Sequence, residues 1–370
     1  MTSNQRLPVS LTPLDTALAA WLSGLKPVAA IDVAPEDALH AIAAEMPPLA
    51  AVPARDVAAV DGWALRSSGL VGASSYTPVP LTAPPAWVEA GAPMPDGCDC
   101  VLDEASIDRT SPIVQVLAEA TPGQGVRRKG SGIAEASRIA APGHRLSARD
   151  LLLARMAGVA LLSVRRPRLT IVNLPGGTAT AILIAESARE AGADVSLIDI
   201  AARDPASIAK VLDADVADLR VVIGGSGVGR TDASVIALAS RGAVVAHGLA
   251  LQPGRTTAIG RIGATPLIVL PGAPDQAFAA WWTLALPALD RLSFRAPRRS
   301  VTRPLARKVA SLVGIAEIVL LEEHDGAWLP LAVGELSLAV IARAQAWLVV
   351  PGGSEGYALG TPVDAYILRA

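Results

Sequence analysis

The sequence predicts a multidomain α/β and β protein. An α/β layer domain with a mostly parallel sheet is accompanied by a β-rich inserted module, a helical/linker domain and a small C-terminal β-barrel. The 370 residues are too many for one ordinary core. Strand-like and helical segments alternate along residues 166–292, whereas residues 47–125 and 305–370 consist mainly of short apolar runs separated by turn-forming residues.

The N-terminal part is predicted to contain several helices. Residues 14–45 have helical apolar spacing around a short strand-like "VAAIDV", and "PEDALHAIAAEM" opens a helix with Pro35 and two acidic residues. Residues 146–164 predict a further helix, with Ser147 as its N-cap and Gly158 as its stop. The dense turn signals between these segments favour a β-rich module.

Residues 166–292 alternate in the manner of a parallel sheet with crossover helices. The predicted strands read "RLTIV", "DVSLI", "LRVVIGG" and "AVVAHG", and the helices between them read "TATAILIAESAREAG", "DPASIAKVL" and "ASVIALASRG". A strand pair in "TTAIGRIGATPLIVLPG" and the helix "DQAFAAWWTLALPAL" follow. The Pro/Arg-rich "RAPRRSVTRP" at 295–304 is predicted to be a linker, and the later short strands with the single helix "SLAVIARA" favour a small barrel.

These patterns give four predicted domains. Residues 1–46 together with 130–165 form a discontinuous helical/linker domain, and residues 47–129 form the β-rich module. Residues 166–295 form the α/β domain, and residues 296–370 form the C-terminal β-barrel domain.

The charge balance argues against two classes of partner. Lys and Arg number 32 against 34 Asp and Glu, for a net charge of −2, so the chain lacks the positive surface charge of a nucleic-acid binder. No apolar stretch approaches the ~20 residues that span a bilayer, and the start lacks a basic segment followed by an apolar one. We therefore expect a cytoplasmic protein that binds neither nucleic acid nor membrane.

The stretch "VVIGGSGVGRTD" at 221–232 carries the strongest local signal. It places four glycines within six residues after a predicted strand and before a helix, where backbone N–H groups can approach an anion. It differs from the nucleotide-binding pattern G-x-x-x-x-G-K-[ST] because Arg230 stands in the lysine position, and arginine does not replace lysine there. A phosphate site, a ligand-free glycine turn and a P-loop NTPase all remain open from this segment alone.

Six short motifs occur in a specific order along the chain. They read "DGWAL", "AGAPMPDGCDCVL", "VRRKGSG", "GGSGVGRTD", "LQPGRT" and "VLPGAP". In order and spacing this series resembles the MoeA family of molybdopterin molybdenumtransferases, which includes the E domain of gephyrin. The resemblance covers nearly the whole chain and implies a transferase of molybdenum cofactor biosynthesis. In that family molybdate is joined to the dithiolene of adenylylated molybdopterin with release of AMP.

The resemblance implies a set of site residues. Phosphate contact falls to Gly224, Gly225, Ser226, Gly227 and Arg230, Arg255 adds a further donor for an oxyanion, and Pro271 and Gly272 shape the neighbouring wall. Asp61 and Asp232 are the surviving candidates for catalysis and for metal or molybdate handling. The implied ligands are molybdopterin or its adenylylated form, molybdate and Mg²⁺. The implied assembly is a homodimer in which the partner's β-rich module closes the pocket, with a molybdoenzyme or an upstream cofactor-synthesis protein as a further partner.

Several side chains of the family pattern are replaced here. Ala90 stands for a threonine, Ser131 and Gly132 stand for two acids, and Ala273 stands for an asparagine. The family's acidic t-G-D-E-L segment is replaced by "NLPGGTATAI", in which residues 173–178 are shortened. Because Mg²⁺ prefers carboxylate oxygens, these losses weaken the predicted metal site. They also motivate an alternative function, a non-catalytic protein that binds or carries molybdopterin or the mature cofactor.

Overall fold

The structure, a computed structural model, describes residues 5–213 and 216–368. A six-stranded sheet lies at the centre of the α/β part. Its strands follow one another across the sheet in the order Asp194–Asp199, Arg168–Asn173, Leu219–Ile223, Thr265–Leu270, Ala258–Ile262 and Ala243–His247. The first three pairings are parallel and the last two antiparallel, so the sheet is mixed, with a parallel half that matches the predicted alternation.

Helices cover both faces of this sheet. On one face, side chains of Thr178–Glu190 and of the long helical segment 274–293 pack on alternate strand residues such as Ile171 and Val221. On the other face, Pro205–Asp213 and Ser234–Arg241 pack on the intervening residues. Successive strand side chains point to opposite faces, so apolar residues at consecutive positions require cover on both sides.

The long helix contains a change of pitch. It runs as an α-helix over Pro274–Ala280, as a π-helix over Trp281–Ala285 and again as an α-helix over Leu286–Ser293. Pro287 has no N–H, and its ring would clash with the carbonyl four residues earlier in a regular helix, so the wider π turn before it relieves that conflict. The predicted helix is confirmed, and its π segment is a feature that periodicity does not reveal.

The N-terminal helix belongs to the α/β core. It spans Leu14–Leu22, and its Trp21 is fully buried and donates from Nε1 to the Gly260 carbonyl at 2.8 Å. Nearby, Leu162–Arg165 pairs with Ile31–Val33 and with Ile42–Ala43 in a three-stranded sheet.

The remaining predicted helices of this region have different outcomes. Ala148–Met156 is helical, and Ser147 and Asp150 cap it reciprocally, as the sequence predicted for Ser147. The helix predicted from Pro35 is wrong, because residues 35–40 form turns and Ile42–Ala43 is a strand. Residues Ala41 and Ala43 are buried and exchange backbone hydrogen bonds with residues 143–146, so tertiary pairing overrides the helical spacing.

Short strands build residues 47–129. They span Val57–Ala58, Gly62–Leu65, Val79–Pro80, Ala86–Val88, Cys100–Leu102, Ile107–Asp108, Gln115–Val116 and Val126–Arg127, with 3₁₀ turns at Ser67–Gly69 and Glu104–Ser106. Two small apolar clusters lie beneath them, one around Leu70 and one around Val101. This is the β-rich character that the turn signals predicted.

The C-terminal part is a curved sheet. Its strands span Ser300–Pro304, Val309–Ala310, Ala316–His324, Ala327–Val333, Ala346–Val350, Gly356–Tyr357 and Pro362–Ile367, with one helix at Leu338–Arg343. A bridge between Leu305 and Trp328 draws the two ends of the curve together, which makes a half-barrel. The predicted linker at 295–304 is wrong in its second half, which is a strand paired along residues 362–366.

The half-barrel does not stand alone. Leu249–Gln252 and Thr12–Pro13 add parallel strands to its sheet, so that the sheet joins the α/β part. Within residues 5–213 and 216–368, no helix combines the length and the apolar character needed to cross a bilayer.

Candidate functional site

Three loops meet at one edge of the six-stranded sheet. They follow the parallel strands that end at Asn173, Ile223 and Leu270. The strand Arg168–Asn173 lies between two neighbours. Asp194–Asp199, the next strand in the chain, lies on one side, and Leu219–Ile223, the strand after it, lies on the other. The strand order therefore reverses here, and in open α/β sheets ligands bind outside the carboxyl ends of the strands at such a point.

The glycine loop, residues 224–232, requires glycine at its base. Gly224 and Gly225 have φ angles of 94° and 68°, in the left-handed region that other residues rarely adopt. The Gly224 N–H donates to the Leu270 carbonyl at 2.9 Å, so the loop begins pinned to the next strand. A Cβ on Gly225 would lie 2.5 Å from Ser234 Oγ, whose hydroxyl donates to the Gly224 carbonyl.

Asp232 closes the far end of the glycine loop. Its Oδ2 accepts the Gly229 N–H at 2.8 Å, and its own N–H donates to the Gly229 carbonyl. A Cβ on Gly227 would lie 2.7 Å from the same carboxylate oxygen. Asp232 therefore shapes the loop, and its catalytic or metal role stays a prediction.

Removal of this carboxylate should loosen the loop. In Asp232→Ala the Gly229 N–H loses its acceptor, so we expect its hydrogen exchange to accelerate by about tenfold, which corresponds to about 1.4 kcal/mol. Asp232→Asn keeps an acceptor oxygen and should exchange at close to the native rate. Equal exchange in Asp232→Ala and the native chain would contradict the closing role.

Gln5 supports the glycine loop from beneath and was not predicted. Its Nε2 donates to the carbonyls of Gly225 and Gly227, and its Oε1 accepts the Val235 N–H at 3.1 Å. The side chain is buried, with 5% of its surface exposed. Because these contacts join residues more than 200 positions apart, no local sequence pattern could have revealed them.

The loop that bears Arg255 lies against the glycine loop. Ser226 is buried, and its Oγ is 3.1 Å from Thr256 Oγ1. His247 Nε2 donates to the Ser226 carbonyl at 2.9 Å, which fixes the loop from the strand side. The predicted binding residues Ser226 and Arg255 therefore lie in adjoining segments.

Pro271 and Gly272 follow the strand that ends at Leu270 and form the wall beside the glycine loop, and their part in ligand binding stays a prediction. The Gly272 carbonyl accepts the Thr180 hydroxyl at 2.7 Å, which ties the wall to the helix that follows residues 174–177. A Cβ on Gly272 would lie 3.7 Å from the Gly224 Cα, so the two loops are close neighbours.

Arg230 and Arg255 are both exposed at this edge. Neither forms an ion pair with any part of the chain that the structure describes. Guanidinium groups are fork-shaped donors that suit phosphate and other tetrahedral oxyanions. The edge thus presents exposed cationic side chains above a glycine-rich backbone.

Comparison with known proteins identifies the chain's family. Residues 12–158 match the MoeA N-terminal region (domain I and II), and residues 178–291 match a probable molybdopterin binding domain. The chain belongs to the MoeA family.

Individual relatives agree with this assignment. Molybdopterin molybdenumtransferase 2 of Mycobacterium tuberculosis is 27% identical over 64% of this chain and 69% of that protein. A putative molybdopterin biosynthesis protein of Methanocaldococcus jannaschii is 23% identical over 98% of this chain and 100% of its own length. The crystal structure of the MoeA protein of Pyrococcus horikoshii has the same fold, with a TM-score of 0.72 at 24% identity, over 98% of this chain and 100% of that one.

The position of the helix after the glycine loop tests the hypothesis of a P-loop NTPase. In a P-loop the helix follows directly on the G-K-[ST] residues. Here the helix begins at Ser234, after Arg230, Thr231 and the capping turn of Asp232. The geometry therefore favours a different phosphate-sized site over an NTPase loop.

An acid lies at this edge that sequence reasoning missed. Asn173 ends its strand and donates from Nδ2 to Asp199 Oδ1 at 2.7 Å, while Asn173 Oδ1 is buried without a partner. Asp199 is exposed at the end of the adjacent strand. Arg203 folds over the shortened loop and donates to the Pro175 carbonyl. Parallel strand pairing from Arg168↔Asp194 to Asn173↔Asp199 is the signal that could have placed Asp199 here.

Asp61 lies in the β-rich module. Its Oδ1 accepts the Ala90 N–H at 2.7 Å, on the exposed surface. No hydrogen bond or ion pair of residues 5–213 and 216–368 joins Asp61 to the glycine loop. In the same residues no group of three His, Cys, Asp or Glu side chains is placed to hold a metal ion. No described hydrogen bond therefore joins Asp61 to Asp232 within one chain.

Proposed function

We propose that this chain acts in molybdenum cofactor biosynthesis as a molybdopterin molybdenumtransferase, which inserts molybdate into molybdopterin or its adenylylated form. The names of the MoeA-family relatives support this reaction class. The observation that carries it is the glycine loop at the reversal point of the sheet, beside two unpaired arginines.

The backbone of the glycine loop would hold the pterin phosphate. Among the described residues, the N–H groups of Gly227 and Val228 have no acceptor in the protein, and Val228 is exposed. Buried contacts to Gln5 and His247 hold the loop in place before a ligand arrives. Such a prearranged set of donors costs little reorganisation when an anion binds.

The arginines would position the second substrate. Arg230 lies on the glycine loop, and Arg255 lies on the adjoining segment fixed through Thr256. Molybdate is a tetrahedral dianion, so two guanidinium groups can neutralise it and orient it toward a dithiolene held by the neighbouring pterin. In this proposal, Arg230 and Arg255 bind molybdate and orient it.

The described side chains do not form a Mg²⁺ site by themselves. Mg²⁺ is usually held by one or two carboxylates together with substrate phosphate and water, and no group of three acidic, histidine or cysteine side chains that could hold a metal ion is present in the described residues. Asp61 and Asp232 each accept a backbone N–H through one carboxylate oxygen. The binding role of this edge therefore rests on its backbone donors and arginines.

A transferase assay tests the proposal. Purified protein is supplied with adenylylated molybdopterin and molybdate, and AMP release and molybdenum incorporation are measured together. We expect both to rise above a protein-free background and to fall by about 100-fold in Arg230→Glu, which reverses a charge at the proposed oxyanion site. Pterin binding without AMP release or molybdenum incorporation would exclude the catalytic function.

A second candidate function is a carrier of molybdopterin or mature cofactor. The replacement of family acids by Ser131 and Gly132 favours it, because fewer carboxylates remain to bind a metal. Equilibrium binding with and without Mg²⁺ separates the two functions. A carrier should bind the pterin equally in both conditions without turnover, whereas a metal-dependent transferase should require Mg²⁺ for activity.

The assembly is part of the proposal. Separate apolar cores lie beneath residues 38–164, 58–126 and 305–367 and support a division into domains, whereas the helix Leu14–Leu22 packs in the α/β core rather than with the predicted helical/linker domain. The separation of Asp61 from the glycine loop supports a homodimer in which the partner's β-rich module completes the pocket. A molybdoenzyme would then receive the cofactor that the proposed reaction produces. Sedimentation equilibrium measures the dimer directly.

A further inference from the structure

A cavity lies at the opposite end of the α/β domain from the glycine loop. It has a volume of about 480 Å³ and lies between the α/β helices and the C-terminal half-barrel. Helix Thr178–Glu190 begins beside the glycine loop and ends at this cavity. Because a 13-residue helix is about 20 Å long, the two sites are well separated.

Aromatic side chains are concentrated around this cavity. The chain has 12 Phe, Tyr and Trp residues, and five of them line it. They are Phe278, Trp281, Trp282, Trp347 and Tyr366. Four of the rings form a continuous series, with successive centroids 4.1, 5.2 and 5.0 Å apart. Such a wall favours a flat, apolar ligand body.

The cavity also has an excess of positive charge. Four arginines line it, together with one acidic residue, Glu190. Arg298 is neutralised by a bidentate pair with Asp290, with both distances 2.6 Å. Arg145 lies 3.8 Å from the Glu190 carboxylate. Arg295 and Arg299 have no ion pair with any described residue.

Arg295 is the most informative of these groups. Its Nη1 is buried without a hydrogen-bond acceptor. Burial, followed by the nearby positive charge of Arg298, lowers the pKa of Arg295 to about 10, so the side chain still carries its charge at neutral pH. Arg295 is half-buried, with the acids Asp290 and Glu190 nearby, and its buried Nη1 still lacks an acceptor that an anion in the cavity would supply.

The backbone holds Arg295 in place. Phe294 ends the long helix in the left-handed conformation, and the Arg295 N–H donates to the Asp290 carbonyl at 2.9 Å. The next N–H, of Ala296, donates to the Gly143 carbonyl at 2.9 Å. The backbone of Arg295 is therefore held beside the cavity.

We propose that this cavity is a binding site for a small organic anion with an aromatic body, in which the rings pack on the body and Arg295 and Arg299 bind the anionic group. The proposal does not depend on the transferase function, because none of its residues lies at the glycine loop. The unpaired charge and the aromatic wall point to the same ligand chemistry from independent observations.

Binding of 1-naphthyl phosphate to the full-length protein tests the proposal. Tryptophan fluorescence reports on the cavity directly, since three of the seven tryptophans line it. We expect saturable quenching by 1-naphthyl phosphate, and binding about tenfold weaker or less for 1-naphthol and for inorganic phosphate, each of which supplies half of the recognised chemistry.

Matched variants locate the probe. Arg295→Gln and Arg299→Gln should each weaken 1-naphthyl phosphate binding by about tenfold. Arg189→Gln removes the same charge from an exposed position of the adjoining helix and should leave binding unchanged. Arg230→Gln should also leave it unchanged. Loss of binding in Arg230→Gln with retention in Arg295→Gln would place the probe at the glycine loop and overturn the proposal.

Stability separates a ligand-binding arginine from a structural one. If Arg295 is held for a ligand, Arg295→Met should leave the Tm of the ligand-free protein unchanged or raise it, while it removes the rise in Tm caused by 1-naphthyl phosphate. A lower Tm in Arg295→Met, together with unchanged probe affinity in Arg299→Gln, would assign these arginines to structure alone.

Discussion

Replacing Gly225 with alanine is expected to lower the free energy of unfolding by about 3 kcal/mol and to remove most binding of pterin phosphate. Gly225 has a φ of 68°, which costs an L-residue about 1–2 kcal/mol. The added Cβ would also lie 2.5 Å from Ser234 Oγ and 3.0 Å from Leu174 Cδ2. Both neighbouring side chains are buried, so neither can move into solvent to relieve the clash.

A matched glycine isolates the steric part of this effect. Gly263 has a φ of 59° in the turn between strands 258–262 and 265–270, and a Cβ added there would have no other atom within 4 Å. Gly263→Ala should therefore cost only the backbone term of about 1–2 kcal/mol and leave ligand binding unchanged. Thermal and urea unfolding of both variants measure the difference.

A double variant identifies the clash. In Gly225→Ala with Ser234→Ala, the nearest atom is removed, so part of the lost stability should return relative to the sum of the single effects. Ser234→Ala alone loses the hydrogen bond to the Gly224 carbonyl and sets the reference. If Gly225→Ala is no less stable than Gly263→Ala, close packing beneath the glycine loop does not matter for folding.

The regular elements of the α/β part were predictable because their signals are local. Continuous apolar runs predicted the strands around Ile171 and Val221, and a polar cap predicted the start of the helix at Ser147. The helix expected from Pro35 failed because its apolar spacing serves burial of Ala41 and Ala43 in a strand pairing. The spacing of apolar residues indicates which side chains are buried, whereas contacts with residues distant in the sequence decide whether the backbone forms a helix or a strand.

The site was predictable to the extent that backbone conformation governs it. Gly224 and Gly225 must be glycine for steric reasons, so the sequence retains their signal. Gln5 reaches the site through long-range contacts, and nothing in its own neighbourhood marks it, whereas Asp199 reaches the site because it ends a strand beside Asn173. The Asp232 carboxylate closes the loop, a contact that the motif did not reveal, and its predicted catalytic or metal role stays a prediction.

Two inactive variants are expected to restore activity when they are combined in one dimer. The first is Asp61→Asn, which keeps an acceptor for the Ala90 N–H, and the second is Arg230→Glu on the exposed glycine loop. Each should lower the rate of molybdate insertion by about 100-fold. If Asp61 of one subunit serves the glycine loop of the other, the mixed dimer contains one site with both residues intact.

The size of the recovery follows from two-fold symmetry. Random assembly of equal amounts gives about half mixed dimers, each with one competent site in two, so about a quarter of native activity should return. If Asp61 acts within its own chain, mixing restores nothing, because every chain carries one defect. Co-expression with two affinity tags supplies the pure mixed dimer, which should show about half of native activity.

A reciprocal mixture gives the opposite pattern. When native chains are combined with chains that carry both Asp61→Asn and Arg230→Glu, a shared site leaves only native homodimers active, at about a quarter of full activity. A site within one chain leaves every native chain active, at about half. Asp61 makes its described contact with Ala90 and none with the glycine loop, so the shared arrangement is the one that gives this acid a direct part in the reaction.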